Sequence, residues 1–389
     1  MIINDKRALA YTVTIDSITP IEGADNIELA HIGGWTVIVR KQEYQPGDMA
    51  VFCEIDSKLP ETEWSEFLRP KKFKVKTYKL GKFGVISQGL LLPMSVLGSD
   101  KKYDIHTDVT DELHITYYVA EDNVRKAKTN PNAKYNNMAA RLGKKAKSPW
   151  FKWMMKRLWG RKILFALFGK KKDNPKKFPE WIKKTDEDRI ENVMWMLDHK
   201  EPFVVTEKID GTSTTFFIDK TKRKAEYGVC SRNVRQVDME QDTFFDCDNV
   251  YWEMNFKYSV EDALKNIAEK YNVDRVVLQG ETYGASVQGN PYKLDDRMFA
   301  AFNLIFDGER LGSLKAKEIL DEYDIPFVPI METDCILPDQ DQFEEFKLSA
   351  DGMSTINDKC RREGFVYRSQ DGQLSFKNIS RNFLLKKKD

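Results

Sequence analysis

Thr206-Glu207-Lys208-Ile209-Asp210-Gly211-Thr212-Ser213 lies between two apolar runs, Phe203-Val204-Val205-Thr206 before it and Thr214-Thr215-Phe216-Phe217-Ile218 after it. The runs read as two buried strands, and Gly211 permits a tight turn between them. Lys208 therefore stands at the end of a strand, just before an Asp-Gly turn. Two readings follow from that position. On an open hairpin, Lys208-x-Asp210-Gly211 is only an exposed turn. In a cleft, with other cations near enough to favour the neutral amine, Lys208 is a nucleophile.

Residues further along decide between the two. Cys230-Ser231-Arg232-Asn233 ends a strand with a guanidinium, whose fork grips phosphate or a sugar edge. Val276-Val277-Leu278-Gln279-Gly280-Glu281 delivers a carboxylate into the glycine-containing turn Thr282-Tyr283-Gly284. Phe299-Ala300-Ala301-Phe302-Asn303-Leu304-Ile305-Phe306 follows as another strand, then Arg362-Glu363-Gly364-Phe365-Val366-Tyr367-Arg368 and Ser375-Phe376-Lys377-Asn378-Ile379-Ser380.

In this order the chain resembles the polynucleotide ligases of the covalent nucleotidyltransferase superfamily, with Lys208 at motif I, Arg232 at motif Ia, Glu281 at motif III, Phe302 at motif IIIa, Glu363 at motif IV and Lys377 at motif V. Within that superfamily it resembles the ATP-dependent RNA ligases, those of the Deinococcus type in particular. The resemblance implies that Lys208 takes AMP from ATP, that Glu207 accepts from the adenine amino group, and that Phe302 stacks on the purine. It implies that Arg232 and Glu281 hold the ribose region, and that Glu363, with Glu281, places Mg²⁺ or Mn²⁺. Lys377 would contact the α-phosphate and depress the pKa of Lys208 by like charge. Ser213 stands where many RNA ligases carry asparagine, at the contact to the departing phosphates or the 3′ end. Motif V shows one lysine, with Ser375 before it and Ile379 after it, where two lysines are usual. The implied substrate is a nicked duplex with RNA on the 3′-hydroxyl side. A DNA ligase or a capping guanylyltransferase shares motif I, but both usually place their OB domain after the nucleotidyltransferase domain. A non-catalytic RNA-binding protein is the alternative outside enzymes.

Before the basic stretch, Ala10–Ile15, Trp35–Val39 and Met49–Ile55 read as short strands separated by Gly33-Gly34 and Pro46-Gly47-Asp48 turns, the pattern of a small barrel. Ile21-Glu22-Gly23-Ala24-Asp25-Asn26-Ile27-Glu28-Leu29-Ala30 resembles the opening of the OB-like domain of the same ligases. Lys71–Lys79 alternates cations with apolar residues, as a strand with one charged face does. The expected fold is α+β: an OB-like β-barrel over 1–122, a basic linker or insertion over 123–177, and an ATP-grasp-like nucleotidyltransferase domain of antiparallel sheets flanked by helices over 178–389. Thr185 or Asp186 is expected to cap a helix with acids in its first turn, and Val260–Tyr271 and Ser313–Tyr323 are expected as helices.

The net charge of +1 over 389 residues conceals segregation. From Arg125 to Lys184 there are 20 Lys or Arg against Asp173 and Glu180. A run of this kind is a solvated linker, a polyanion-binding segment or a lipid-surface segment. Trp150, Trp153, Trp159 and Trp181 lie within it, which favours binding. Ser148-Pro149 reads as a cap and first turn, with Phe151, Met154, Met155 and Leu158 along one face. Gly160 weakens a continuous helix, and Gly169 offers a stop. Five single cysteines and four scattered histidines exclude a C-x-x-C or H-x-x-x-H metal framework. No apolar leader precedes the first strand, so a cytoplasmic enzyme is expected. Nothing outside the basic stretch points to lipids, so no membrane partner is expected, and the expected state is a monomer.

Overall fold

The structure is a computed structural model that describes residues 1–4, 6–98, 101–118, 133–168, 176–236 and 249–386. Strands β1 (Ala10–Thr14), β2 (Ser17–Pro20), β3 (Ile27–Ile32), β4 (Trp35–Arg40), β5 (Met49–Cys53) and β6 (Leu90–Pro93) build the N-terminal block. β6, β5 and β1 form one antiparallel sheet and β2, β3 and β4 another. Because side chains alternate across a strand, β5 feeds two cores. Phe52 packs with Tyr11, Trp35 and Val37, while Val51 and Cys53 pack with Leu9, Leu59 and Val75. The expected strand Lys71–Lys79 does not form as one element: Lys74 makes a single antiparallel bridge to Lys58, and a short strand, Tyr78–Leu80, begins only near its end. Phe73 and Val75 are buried as anticipated.

The basic stretch holds three helices, α1 (Ala133–Leu142), α2 (Pro149–Met155) and α3 (Leu158–Phe168). The Ser148 hydroxyl accepts from Phe151 N–H at 3.3 Å, so the expected cap is present. The helix does not continue to Leu158. It breaks at Lys156-Arg157, and Leu158 is 63% exposed. Gly160 does not mark the break; it is buried where a Cβ would come 2.1 Å from the Met154 carbonyl oxygen, so its missing side chain lets α3 close against α2. Gly169, Lys170, Lys171 and Lys172, like Cys247 and the boundary after residue 122, lie outside the described residues.

Two antiparallel sheets follow, built from β7 (Phe203–Lys208), β8 (Thr212–Asp219), β9 (Glu226–Ser231), β10 (Arg275–Gly284), β11 (Arg297–Phe306), β12 (Ile330–Cys335), β13 (Gly364–Ser369) and β14 (Ser375–Ile379). The larger runs β9-β8-β10-β11, extended by the short pairs 176–177, 234–235 and 309–310; the smaller runs β12-β7-β13-β14. α4 (Val250–Lys257), α5 (Val260–Lys270) and α6 (Ser313–Asp321) cover one face of the larger sheet through Leu264, Ile267, Ile319 and Phe216. α7 (Phe343–Ser349) covers the smaller through Phe343 and Phe346. Among the described residues no helix is long and apolar enough to cross a membrane.

The segment after Thr185 is not the expected helix. Its acids are drawn to cations elsewhere: Asp186 pairs with Arg232, and Glu187 with Arg310 and Arg368. The backbone runs alongside β14, with Asp188 C=O accepting from Lys377 N–H at 2.7 Å. Only short 3₁₀ turns form, at Ile190–Asn192 and Met194–Asp198. Asn192 ties the two blocks together. Its Oδ1 accepts from Trp35 Nε1 at 2.7 Å and from the Tyr11 hydroxyl at 3.0 Å, and its Nδ2 donates to Glu54 at 2.8 Å. Beside it, buried Lys347 pairs with buried Glu191 at 3.0 Å.

Candidate active site

β7 and β8 share the turn 209–211 yet belong to different sheets, so the turn is where the sheets meet. It is held at three points. Asp210 N–H donates to the buried Tyr292 hydroxyl at 2.7 Å. Asn357 Nδ2 donates to the Tyr292 carbonyl at 2.9 Å. At Gly211 a Cβ would come 2.3 Å from the Thr282 carbonyl oxygen and 2.9 Å from Glu281 Cγ, so glycine is what lets the turn lie against β10.

Lys208 closes β7 opposite Gly364 on β13. Its ammonium donates to Glu363 Oε2 at 2.9 Å. Burial opposes the charge on Lys208, but Glu363 and then Glu281 outweigh it and hold its pKa above that of an ordinary lysine. Glu281 sits directly across the ladder from Ser213. Its carboxyl is pushed up to about 8, first by burial, with Lys208 opposing and Glu363 and Asp210 adding. Three carboxyl groups surround one ammonium; with Glu281 largely protonated at neutral pH, the other two still leave a surplus of negative charge, and together they offer the hard oxygens a divalent cation prefers. Among the described residues no group of three or more His, Cys, Asp or Glu could hold a metal ion. Two carboxylates, Glu281 and Glu363, with phosphate and water for the rest, fit Mg²⁺ or Mn²⁺.

Lys377 lies on β14, across β13 from Thr206. Its amine is brought down to about 7 by burial, then by Arg7 and Arg189, with Asp186 opposing. The expected electrostatic order is thus reversed: burial depresses Lys377 and neighbouring guanidinium groups reinforce it, whereas carboxylates outweigh the burial of Lys208. Lys377 lines a small pocket with Arg7, Glu54, Asp188, Arg189 and Asn192, where the two blocks touch.

The remaining candidates occupy three different settings. Ser213 Oγ lies 2.9 Å from Thr185 Oγ1. Arg232, half-exposed, contacts both Asp186 oxygens at 2.6 and 2.8 Å. Glu207 follows Thr206 on the face of β7 opposite Lys208. Both its oxygens are engaged there, one by the Ser354 hydroxyl and the other by Thr355 N–H at 2.8 Å and Thr355 Oγ1 at 2.6 Å. In this geometry Glu207 anchors the 354–360 loop, and an adenine amino group would have to share oxygens already bonded.

Phe302 occupies a β-bulge. Gln279 pairs with Asn303 and Gly280 with Ala301, leaving Phe302 without a ladder partner. A bulge re-aims a side chain, and this one packs the ring near Ile209, Tyr283 and Tyr292. The Arg368 guanidinium lies 5.7 Å from the ring centroid. Arg189 and Arg368 had no place in the motif reading. Both are buried, and in each the Nε and Nη1 atoms have no partner among the described residues. Their signal was their position, Arg189 just after the acids that follow Thr185 and Arg368 at the end of the Arg362–Arg368 run.

Residues 201–388 match the RNA ligase family, and residues 9–94 match an OB-fold domain. No curated protein matches the chain. Among solved structures, a variant of Naegleria gruberi RNA ligase with ATP and Mn is 27% identical, with a TM-score of 0.74, covering 98% of this chain and 100% of that one. The same ligase with PPi gives a TM-score of 0.74 at 27% identity, covering 98% and 99%. A further variant, without ligand, gives 0.73 at 28%, again covering 98% and 99%. The chain therefore carries an OB-fold domain followed by an RNA ligase domain in an α+β arrangement.

Proposed function

We propose that this ATP-dependent RNA ligase joins a 5′-phosphate to a 3′-hydroxyl at nicks, through a lysyl-AMP on Lys208 and an adenylylated polynucleotide. The observation that carries the reading is the Lys208 ammonium 2.9 Å from Glu363, where the two sheets meet. In the first step the neutral amine attacks the α-phosphorus of ATP. A P–N bond forms, the bond to the β-phosphate bridging oxygen breaks, pyrophosphate leaves and the amine proton is lost. The AMP then passes to the 5′-phosphate, and the 3′-hydroxyl displaces it. Each step is an in-line transfer in which the protein mainly aligns atoms and neutralises charge.

Lys208 is the nucleophile, and Lys377 meets the α-phosphate from β14. Phe302 stacks on the purine, while Arg232, released from Asp186, holds the ribose region. Glu281 and Glu363 would hold Mg²⁺ or Mn²⁺, which when bound neutralises phosphate charge and favours loss of the Lys208 proton. Ser213, beside Glu281, contacts the departing phosphates or the 3′ end. The barrel-first domain order and the phrase Ile21–Ala30 support the Deinococcus-type subclass. RNA is preferred on the 3′-hydroxyl side, where A-form geometry and the terminal 2′-hydroxyl are legible to a protein. Sealing of matched nicks with RNA or DNA on that side tests the preference. Equal sealing of all-DNA nicks would point instead to a DNA ligase.

A further inference from the structure

The helices between the two domains form a body of their own. Tyr135, Met138, Phe151, Met154, Met155 and Leu164 make its core, separate from the others. What this core does not cover is a stripe on α3: Trp159, Ile163 and Leu167 recur at i, i+4 and i+8, on one face of a helix, and are 50%, 45% and 65% exposed. Trp153 on α2 joins the stripe, its ring 5.9 Å from that of Trp159, and is itself 47% exposed.

Charge limits what can cover this face. Residues 133–168 contain ten Lys or Arg and no Asp or Glu. Exposed Lys156, Arg157 and Lys162 border the stripe, and the Arg157 guanidinium lies 4.0 Å from the Trp153 ring centroid. A second copy would bring ten more cations to the same contact. A nucleic acid would use the cations and the indoles but has little use for an aliphatic ridge, since base stacking is an aromatic contact. An anionic bilayer matches both halves. Its acyl boundary takes the Ile163–Leu167 ridge, its headgroup zone takes the indoles, and its phosphates take the cations. With 11 residues, α3 lies along such a surface and does not span it, since a span needs about 20.

We propose that the α1–α3 body docks the enzyme on anionic lipid bilayers through the Trp159-Ile163-Leu167 stripe and its cationic border. This departs from the expectation of no membrane partner, which rested on nothing outside the basic stretch pointing to lipids.

The test uses the full chain with vesicles of phosphatidylcholine, alone or mixed with phosphatidylglycerol, followed by co-sedimentation and tryptophan emission. Wild-type protein should sediment with the mixed vesicles and shift its emission to the blue, and salt should weaken both effects. Ile163→Glu with Leu167→Glu, surface changes whose folding is checked by helicity and melting, should lower partitioning at least about tenfold. Lys156→Gln with Lys162→Gln should reduce binding to the mixed vesicles while the apolar ridge stays intact. Labelling of Lys208 by ATP should be unchanged in every variant. The proposal is overturned if wild-type protein ignores the anionic vesicles, or if the two glutamates leave partitioning intact. It is equally overturned if RNA strands, and not vesicles, shift the emission in a manner the glutamates abolish, or if the glutamates instead dissolve a self-associated form.

Discussion

Lys208 and Glu363 approach to 2.9 Å because β7 and β13 pair Lys208 with Gly364, placing the residue before the glycine at the amine. Gly364 has φ +151, and a Cβ there would come 2.2 Å from the Asn378 carbonyl oxygen. Glu363→Gln should therefore leave the fold intact while reducing lysine adenylylation on the order of 10²-fold, the scale of losing one well-placed electrostatic group. Gly364→Ala should lose the label and also about 1–3 kcal/mol of stability, from a backbone held where alanine is strained. Labelling and melting measured together separate the two. A Gly364→Ala protein with full stability and full labelling would show that the approach is not set by the glycine.

Phe302→Ala should raise the ATP requirement by about 1–3 kcal/mol, as lost base stacking does. The ring is half-buried in a bulge, so the change in melting temperature should be modest. ATP titration beside a melting curve checks this. An unchanged ATP requirement with a large loss of stability would make Phe302 a packing residue only.

Lys377 gives a pH dependence with a defined sign. Its pKa is about 7 in the fold against an ordinary value of 10.5. Between these values the unfolded chain binds more protons than the folded one, so this residue makes stability rise with pH across that window. Below about pH 7 the cost of its buried charge is fully present. Lys377→Met should flatten the rise relative to wild type and stabilise the protein at neutral and acidic pH while abolishing sealing. Denaturant unfolding at several pH values measures it. Parallel profiles for the two proteins would contradict the assignment.

Asn192 should couple the two domains. Asn192→Leu leaves the Trp35 N–H without its acceptor, restricts the Tyr11 hydroxyl to Glu54 and removes a donor from that buried carboxylate, at a cost of about 2–4 kcal/mol. Unfolding monitored by tryptophan emission reports the loss. Stability unchanged within error would show that water replaces the asparagine at no cost.

Much of the site could be read from the sequence because buried strands leave continuous apolar runs. Val276–Leu278 and Phe299–Phe306 announced β10 and β11, and Asp210-Gly211 announced the turn between β7 and β8, though not that these strands belong to different sheets. What escaped depends on partners distant in the chain. The acids after Thr185 look like a helix start until Arg232, Arg310 and Arg368 claim them. Glu207 looks available until Ser354 and Thr355, some 147 residues on, occupy its oxygens. The Phe302 bulge is a one-residue register shift that leaves the apolar pattern unaltered. The break at Lys156-Arg157 is equally hidden, since Leu158 continues the α2 periodicity in sequence but turns outward in space.

Covalent attachment of AMP to Lys208 is the step on which the proposed ligation rests. Incubation of the purified protein with α-labelled ATP and Mg²⁺ or Mn²⁺, followed by denaturing electrophoresis, tests it directly in wild-type and Lys208→Ala proteins of matched melting temperature. Wild type should carry an acid-labile label that exceeds any label from α-labelled GTP and is absent from Lys208→Ala. Undiminished labelling of a folded Lys208→Ala protein would contradict it.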